Sequence, residues 1–188
     1  MSLYKFIVTG ICIISMCLCS ICLANTTTRD KSQVLLIINN ISESKYSKAL
    51  NKMMDEELHK KINGIYEEKS AEKFLNNFKN TAACKIPLQS ILSKIDGSSS
   101  DYLIYAELKP FNKNTEFNFV YYDKEITATF AIRIIDIKNK KELYKSEYSL
   151  TAKDSTDYFF IGSGSVSKKA LEKVLYRAGE AISVYLPL

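Results

Sequence analysis

The chain has 188 residues, of which 46% are hydrophobic, and it carries a formal net charge of +5. This length is that of one ordinary domain with a core of its own. Because the lysines are interspersed with acids, the composition argues against nucleic acid as a partner. The basic cluster at residues 138–141 is accordingly interpreted as a solvated turn, in preference to a site for a polyanion.

The amino-terminal segment carries the clearest local signal. Lys5 leads into an uncharged run over residues 6–24, which ends at Ala24 and is followed by Asn25 and three threonines. This pattern predicts a signal peptide at residues 1–24 with cleavage between Ala24 and Asn25. The run is also long enough for an uncleaved membrane anchor, which needs about 20 residues. Both interpretations place residues 25–188 outside the cytoplasm, as an exported periplasmic, cell-envelope or secreted protein. If the segment at residues 6–24 is not cleaved, it is the only membrane contact expected.

Four of the five cysteines lie in or near this apolar run. A bacterial lipid-attachment site requires a small residue directly before its cysteine, and the residues found there are Ile11, Met16, Leu18 and Ile21. The sequence therefore disfavours a lipoprotein. Cys84 is then the only thiol of the mature chain, so no internal disulfide can form.

The mature chain is predicted to contain a flexible lead at residues 25–32 and a single α/β domain at residues 33–188. Residues 34–38 form a continuous apolar run rich in branched side chains, which is typical of a strand buried on both faces. Apolar residues then recur at steps of three and four from Tyr46 to Ile62, as in an amphipathic helix. Two shorter helices are predicted around Phe74 and after Pro87.

The second half of the chain has the pattern of an antiparallel meander. Strands are predicted at residues 102–108, 117–122, 126–137 and 143–150, joined by short polar connections. An apolar stripe over residues 166–186, which includes Tyr185, predicts a long final helix packed on the sheet. The fold class expected is α/β with α+β character, a mixed sheet with a carboxy-terminal antiparallel meander, helices packed on it and a long carboxy-terminal helix.

Two segments carry a family resemblance. The strand at residues 101–107 follows a glycine- and serine-containing stretch at 97–100, and residues 130–137 form a hairpin with Leu143 and Tyr144. With the order of elements over residues 33–186, these segments resemble the envelope α/β domain of the curli secretion lipoprotein (CsgG-like) and the amino-terminal domain of TolB, with related penicillin-binding-protein activator lipoproteins. The chain departs from them in lacking a lipid-attachment cysteine and extended amphipathic hairpins suited to a pore. The resemblance implies a non-catalytic envelope protein that binds or assembles with others.

Candidate catalytic residues are few. The single histidine, His59, lies among charged residues late on the first predicted helix, where a solvent-facing role is favoured over that of a general base. Cys84, in a loop before Pro87, is interpreted as a partly buried small residue, with a reactive thiol as the alternative. No spacing of His, Cys or acidic residues matches a zinc or calcium site, so we expect no enzyme activity, metal or cofactor.

The run from Gly162 to Ser167 resembles a dinucleotide-binding fingerprint, in which backbone amides at a helix start hold a phosphate. However, Ser167 replaces the third glycine, and no further strand follows to complete the βαβ unit. We therefore interpret Gly162, Gly164 and Ser165 as a flexible loop and helix cap.

The aromatic triplet Tyr158, Phe159 and Phe160 lies between a polar connection and this glycine segment. Neighbouring aromatics in such a context indicate either a last short strand packed on the core or a contact with a partner. A sheet face carrying the tyrosines at positions 121, 122, 144 and 148 is a second candidate interface, since tyrosine combines contact area with a polar tip.

These patterns favour an exported accessory or assembly protein of a cell envelope, which binds envelope proteins and possibly itself. The alternative is an extracytoplasmic small-ligand or glycan-binding domain that uses the glycine segment and the tyrosines. A hydrolase with a non-standard site is the third and least favoured hypothesis.

Overall fold

A six-stranded mixed sheet forms the centre of the protein in the computed structural model, which describes residues 32–62, 65–66, 74, 76–78, 81–95, 98–117, 122–156 and 163–187. The strands are β1 (Gln33–Asn40), β2 (Ile65–Tyr66), β3 (Tyr102–Leu108), β4 (Asn112–Phe117), β5 (Tyr122–Asp136) and β6 (Lys141–Thr156). The predicted signal peptide and its cleavage site at Ala24 and Asn25 lie outside the described residues.

The strand order explains the two sequence patterns. β1 is parallel to both β2 and β3, in a register that pairs Val34 with Tyr102 and Asn40 with Leu108. Because β1 is sandwiched between strands and covered on both faces, its residues form a continuous apolar run. β5 is antiparallel to β3 and β4 along one edge and to β6 along the other, which confirms the predicted meander.

β4 corrects one predicted strand. We expected a strand at residues 117–122, but β4 occupies Asn112–Phe117, and residues 118–121 lie outside the described part. The chain passes Pro110 after β3 and rejoins the same edge of β5, pairing Asn112 with Thr127. Residues 112–116 are exposed, so this strand has no apolar pattern by which the sequence could reveal it.

The basic cluster lies in the turn that joins β5 to β6. Residues 137–140 form this turn, with Lys138, Asn139 and Lys140 exposed. The Asp136 carboxylate accepts hydrogen bonds from the backbone and side-chain nitrogens of Asn139, at 2.8 and 2.7 Å, and Lys140 has a φ of 51°. The solvated turn predicted at residues 138–141 is therefore confirmed.

Helices cover both faces of the sheet. Helix α1 (Ser47–His59) and helix α3 (Ser163–Tyr185) pack on one face, against alternate residues of β5 from Ile126 to Ile134. The 3₁₀ turn Ala83–Lys85 and helix α2 (Leu88–Ile95) pack on the other face, with Phe74, against Leu35, Ile37 and Tyr105. The fold class predicted from the sequence is confirmed.

Helix α3 departs from its predicted apolar stripe at one end. Its buried residues include Leu171, Val174 and Ile182, as the three- and four-residue spacing predicts. Tyr185 is 44% exposed, because the helix ends there beside the margin of the sheet. In the described parts of the chain, no helix has both the length and the apolar character needed to span a membrane.

Candidate interaction surface

Among the described strands, β6 forms one edge of the sheet over 16 residues. β6 pairs with β5 from Lys141 opposite Asp136 to Thr156 opposite Tyr122, with one register shift between Ile134 and Ile135 of β5. No strand in the described residues pairs with its other side. An open edge of this length presents a row of backbone donors and acceptors to which another strand can pair.

Two observations indicate which residues of β6 direct their backbone groups outward. The side-chain oxygens of Thr127 and Thr151 lie 2.7 Å apart, and those of Thr129 and Ser149 lie 2.9 Å apart, as in the closely spaced pairs of an antiparallel ladder that share no backbone hydrogen bonds. In addition, the Thr151 carbonyl accepts a hydrogen bond from Lys173 Nζ at 2.6 Å. The odd-numbered residues around Thr151 therefore present their N–H and C=O groups to the outer edge.

Charged side chains on the face of the sheet opposite α3 flank this edge. Glu147 pairs with Lys109 at 2.6 Å, and Lys153 pairs with Glu125 at 2.7 Å. Both lysines and both acids retain exposed surface. Ion pairs of this kind contribute little to stability, and their members can exchange partners when another chain approaches.

A groove runs between β6 and the outward side of α3. The groove has a volume of about 790 Å³, and Leu150 and Ala152 are among its lining residues. Its helical wall carries six long polar or charged side chains: Lys169, Glu172, Lys173, Tyr176, Arg177 and Glu180. Tyr176 is 67% exposed, so a large aromatic side chain lies open beside an open strand edge.

Tyrosines continue this surface toward the end of α3. The rings of Tyr144 and Tyr185 are stacked with centroids 4.4 Å apart, and the Tyr144 hydroxyl is hydrogen-bonded to that of Tyr148. Burial and, to a smaller extent, the hydrogen bond with Tyr144 raise the pKa of Tyr148 to about 12, so the Tyr148 hydroxyl stays protonated. We call the β6 edge, the groove and these tyrosines the edge surface; tyrosine-rich surfaces of this kind are typical of protein contacts.

A second polar cluster lies buried on the opposite face of the sheet. Both carboxylate oxygens of Glu107 accept the Ala83 N–H at 3.1 Å, and one accepts Asn39 Nδ2 at 3.2 Å. Arg133 donates to the carbonyls of Ala83 and Ile86 at 2.9 and 2.5 Å, and its Nε donates to Glu142 at 2.6 Å. Glu107 and Arg133 thus hold the 3₁₀ turn from two adjacent strands.

The chemistry of this cluster is that of a structural clamp. Glu107 is fully buried and Arg133 is 1% exposed. Burial raises the pKa of Glu107, and it raises the pKa of the adjacent Tyr105 to about 12. The hydrogen bonds of Glu107 and Arg133 are made to the backbone of the 3₁₀ turn, so both side chains hold that backbone in place.

Cys84 lies in the same turn, half-buried, with its Sγ 3.8 Å from the Ser146 carbonyl oxygen. Burial, with a smaller contribution from Glu147, raises the pKa of the thiol, so the reactive thiolate is disfavoured. Its position agrees with the interpretation as a partly buried small residue. In the described ranges, no group of three or more His, Cys, Asp or Glu side chains is placed to hold a metal ion.

The structure treats the predicted site residues unequally. Tyr158, Phe159, Phe160 and Gly162 lie outside the described residues, so the aromatic contact stays a prediction. Gly164 and Ser165 belong to the first turn of α3, which begins at Ser163, and so lie in helix and not in a loop. The Nδ1 atom of His59 lies 3.1 Å from the carboxylate of Asp55, one helical turn away, and both side chains retain exposed surface, which is consistent with a surface role.

Sequence reasoning identified only part of the edge surface. Tyr144 and Tyr148 were expected on one sheet face, and they are there, but the outward side of α3 was not recognised. Its lysines, glutamates and arginine have the pattern of an ordinary solvated helix face. Tyr176, placed off the apolar stripe among these charges, is the one sequence signal that could have marked it.

Comparisons with known proteins identify similar folds. No protein-family model and no curated protein matches the sequence. A solved structure of a neuraminyllactose-binding hemagglutinin homolog from Helicobacter pylori is 11% identical, with a TM-score of 0.52, over 82% of this chain and 85% of that chain. A hypothetical protein from Chlamydia trachomatis is 12% identical, with a TM-score of 0.51, over 81% of this chain and 98% of that chain. These matches establish a fold shared with bacterial proteins.

Proposed function

We propose that the chain is an exported accessory or assembly protein of a bacterial cell envelope that acts through protein–protein contacts and not by catalysis. The observation that carries this proposal is the edge surface, where a 16-residue strand with an open outer edge lies beside an exposed tyrosine on α3. Pairing of an extended segment with a free strand edge is a common mode of protein recognition. The export signal at residues 1–24 supports the location.

The buried polar cluster supports a non-catalytic role. A catalytic acid or base must reach a substrate, whereas Glu107 is fully buried and its carboxylate is bonded to the Ala83 N–H. The thiol of Cys84 has a raised pKa, opposite to the shift that activates a cysteine nucleophile. The shared fold is compatible with this function, and the specific relation to the curli secretion lipoprotein and TolB remains part of the proposal.

Site-specific photo-crosslinking in intact cells of the native host tests this function. A photo-reactive residue at position 176, on the edge surface, should give reproducible adducts with envelope proteins or with the chain itself. The same residue at position 94, exposed on α2 on the opposite face of the sheet, is the matched control. The mature protein should begin at Asn25. Equal adducts at both positions, or a protein retained in the cytoplasm, would refute the proposal.

A second candidate function is the binding of a small ligand or glycan. It is favoured by a polar cleft of about 430 Å³ formed by β4, β5 and β6, lined by residues that include Asn114, Glu116, Asp123 and Asp154. Carboxylates and amides of this kind bind sugar hydroxyls through hydrogen bonds. A panel of glycans that raises the melting temperature of the wild type but not of Asp123→Ala would support it, and no shift with any member would exclude those ligands.

A further inference from the structure

We propose that two copies of the chain join through the edge surface, with β6 paired antiparallel to β6 of the second copy about a two-fold axis at Leu150. This inference deepens the proposed function, on which it rests, by naming a second copy of the chain as the partner of that surface. It follows from three independent features of the edge: the direction of its backbone groups, the order of its charges and the position of α3.

The backbone direction permits this register. A two-fold axis at Leu150 pairs Ser149 with Thr151 and Glu147 with Lys153 of the other copy. These are odd-numbered residues, whose N–H and C=O groups point outward, so each pair can exchange two backbone hydrogen bonds. In the free chain, Lys173 occupies the Thr151 carbonyl, and the second copy's strand would replace that lysine as the donor.

The charges on β6 favour this axis over axes at Ser149 and Glu147, and it sets opposite charges against each other. With the axis at Leu150, Glu147 faces Lys153 of the other copy on both sides of the axis. An axis at Ser149 would place Lys145 opposite Lys153, and an axis at Glu147 would place that glutamate opposite itself. Like charges directly opposite each other destabilise a strand pair, whereas opposite charges stabilise it.

The position of helix α3 along β6 also favours a two-fold axis at Leu150. Lys169 Nζ lies 2.9 Å from Asp154 and Lys173 Nζ lies 2.6 Å from the Thr151 carbonyl, so α3 runs antiparallel to β6. Continued by one strand residue, this alignment brings the middle of α3, near Val174 and Leu175, to the level of Leu150. Two copies of α3 related by the axis therefore run antiparallel about that midpoint. This places Lys169 opposite Glu180, Glu172 opposite Arg177 and Lys173 opposite Tyr176.

Each of these helix pairs is complementary in charge or chemistry. The first two are ion pairs, and the third sets a lysine beside an exposed tyrosine ring, as in a cation–π contact. All six residues line the groove. Because every pair occurs twice in an isologous interface, the helices contribute four ion pairs and two cation–π contacts from one self-complementary patch.

The spacing of the layers also fits. α3 packs on β5 and β6 to the same extent, so its axis lies above the boundary between them. With neighbouring strands about 4.8 Å apart, the two helix axes would then be about 10 Å apart across the dimer. Helices pack at interaxial distances of about 8–10 Å, so strand pairing and helix packing can form together.

A disulfide trap tests the axis directly. In the Cys84→Ala background, Leu150→Cys places a cysteine on the two-fold axis, where facing Cα atoms of a pair without backbone hydrogen bonds are about 4.5 Å apart, within disulfide range. Ser146→Cys is the matched control on the same strand, because its two copies would lie about 26 Å apart at about 3.3 Å per residue. Mild oxidation of protein purified from the periplasm should link the two copies of Leu150→Cys by a disulfide and leave Ser146→Cys without a crosslink.

Charge exchange on α3 provides a second measurement that needs no cysteine. Glu172→Arg faces Arg177 of the other copy and should weaken dimerisation at least about tenfold, measured by sedimentation. The double variant Glu172→Arg, Arg177→Glu keeps the wild-type net charge and should recover most of the lost affinity, because it restores the pair between the copies although it removes the Arg177–Glu180 ion pair within the helix. A monomeric wild type, equal crosslinking at positions 150 and 146, or failure of the double variant would overturn the proposed dimer. Adducts of position 176 with other envelope proteins would then still support the proposed function.

Discussion

Arg133 is the residue on which the 3₁₀ turn depends most. Arg133→Met would remove the guanidinium that donates to the carbonyls of Ala83 and Ile86 and to the carboxylate of Glu142. Since breaking a buried polar network leaves unpaired groups, we expect a loss of about 2–4 kcal/mol in the free energy of unfolding, measured in urea. Lys52→Met, which removes an exposed partner of Glu56 on α1, is the control and should scarcely change it. Similar losses in both variants would contradict the clamp.

Glu107 confers a pH dependence at the same site. Burial raises its pKa in the folded protein, so the folded state retains the proton more readily than the unfolded state. The stability contribution is therefore fully present below the ordinary glutamate pKa and is lost as the pH rises through the folded value. Glu107→Gln removes this titration. The unfolding free energy of wild type minus that of the variant should fall as the pH rises from about 4 to about 8, and a flat difference would contradict the assignment.

At the scale of the elements, Gly164 at the start of α3 allows the helix to pack closely against Tyr46, next to α1. A Cβ at Gly164 would lie 2.9 Å from Cζ of Tyr46, the residue that precedes α1. Gly164→Ala should therefore destabilise the protein, although alanine favours helix by up to about 1 kcal/mol. In a Tyr46→Ala background the same change should be neutral or stabilising. Urea unfolding of the four proteins measures the coupling, and strict additivity would mean that the contact has no effect.

The elements also differ in how far sequence could predict them. β1, β3 and the stripe of α3 were predictable because each has an apolar pattern with the period of its secondary structure. β4 was not, because its exposed residues have no apolar pattern and it is held only by backbone pairing with β5. Of the candidate site, Tyr144 and Tyr148 were foreseen. The burial of Arg133 was not, since its acceptors Ala83 and Ile86 are 50 and 47 residues away along the chain.

The whole molecule should respond to salt through the proposed dimer. The interface relies on several ion pairs near solvent, and raising ionic strength from about 0.1 M to about 1 M shortens the Debye length from about 10 Å to about 3 Å. We expect the dimer dissociation constant to rise about tenfold over this range, as measured by sedimentation. Affinity that strengthens with salt would indicate an interface dominated by apolar contact.

The parallel placement of β1 has a consequence for the order in which the chain assembles. β5 and β6 are joined by a short turn and can pair as soon as both have been synthesised, whereas β1 must wait for β3, 68 residues further along at their paired ends. Local pairings form faster than distant ones. β1 is synthesised before the strands that it pairs with and is thus among the last to be incorporated, so its apolar run must stay protected from other chains while the carboxy-terminal half assembles the template that receives it.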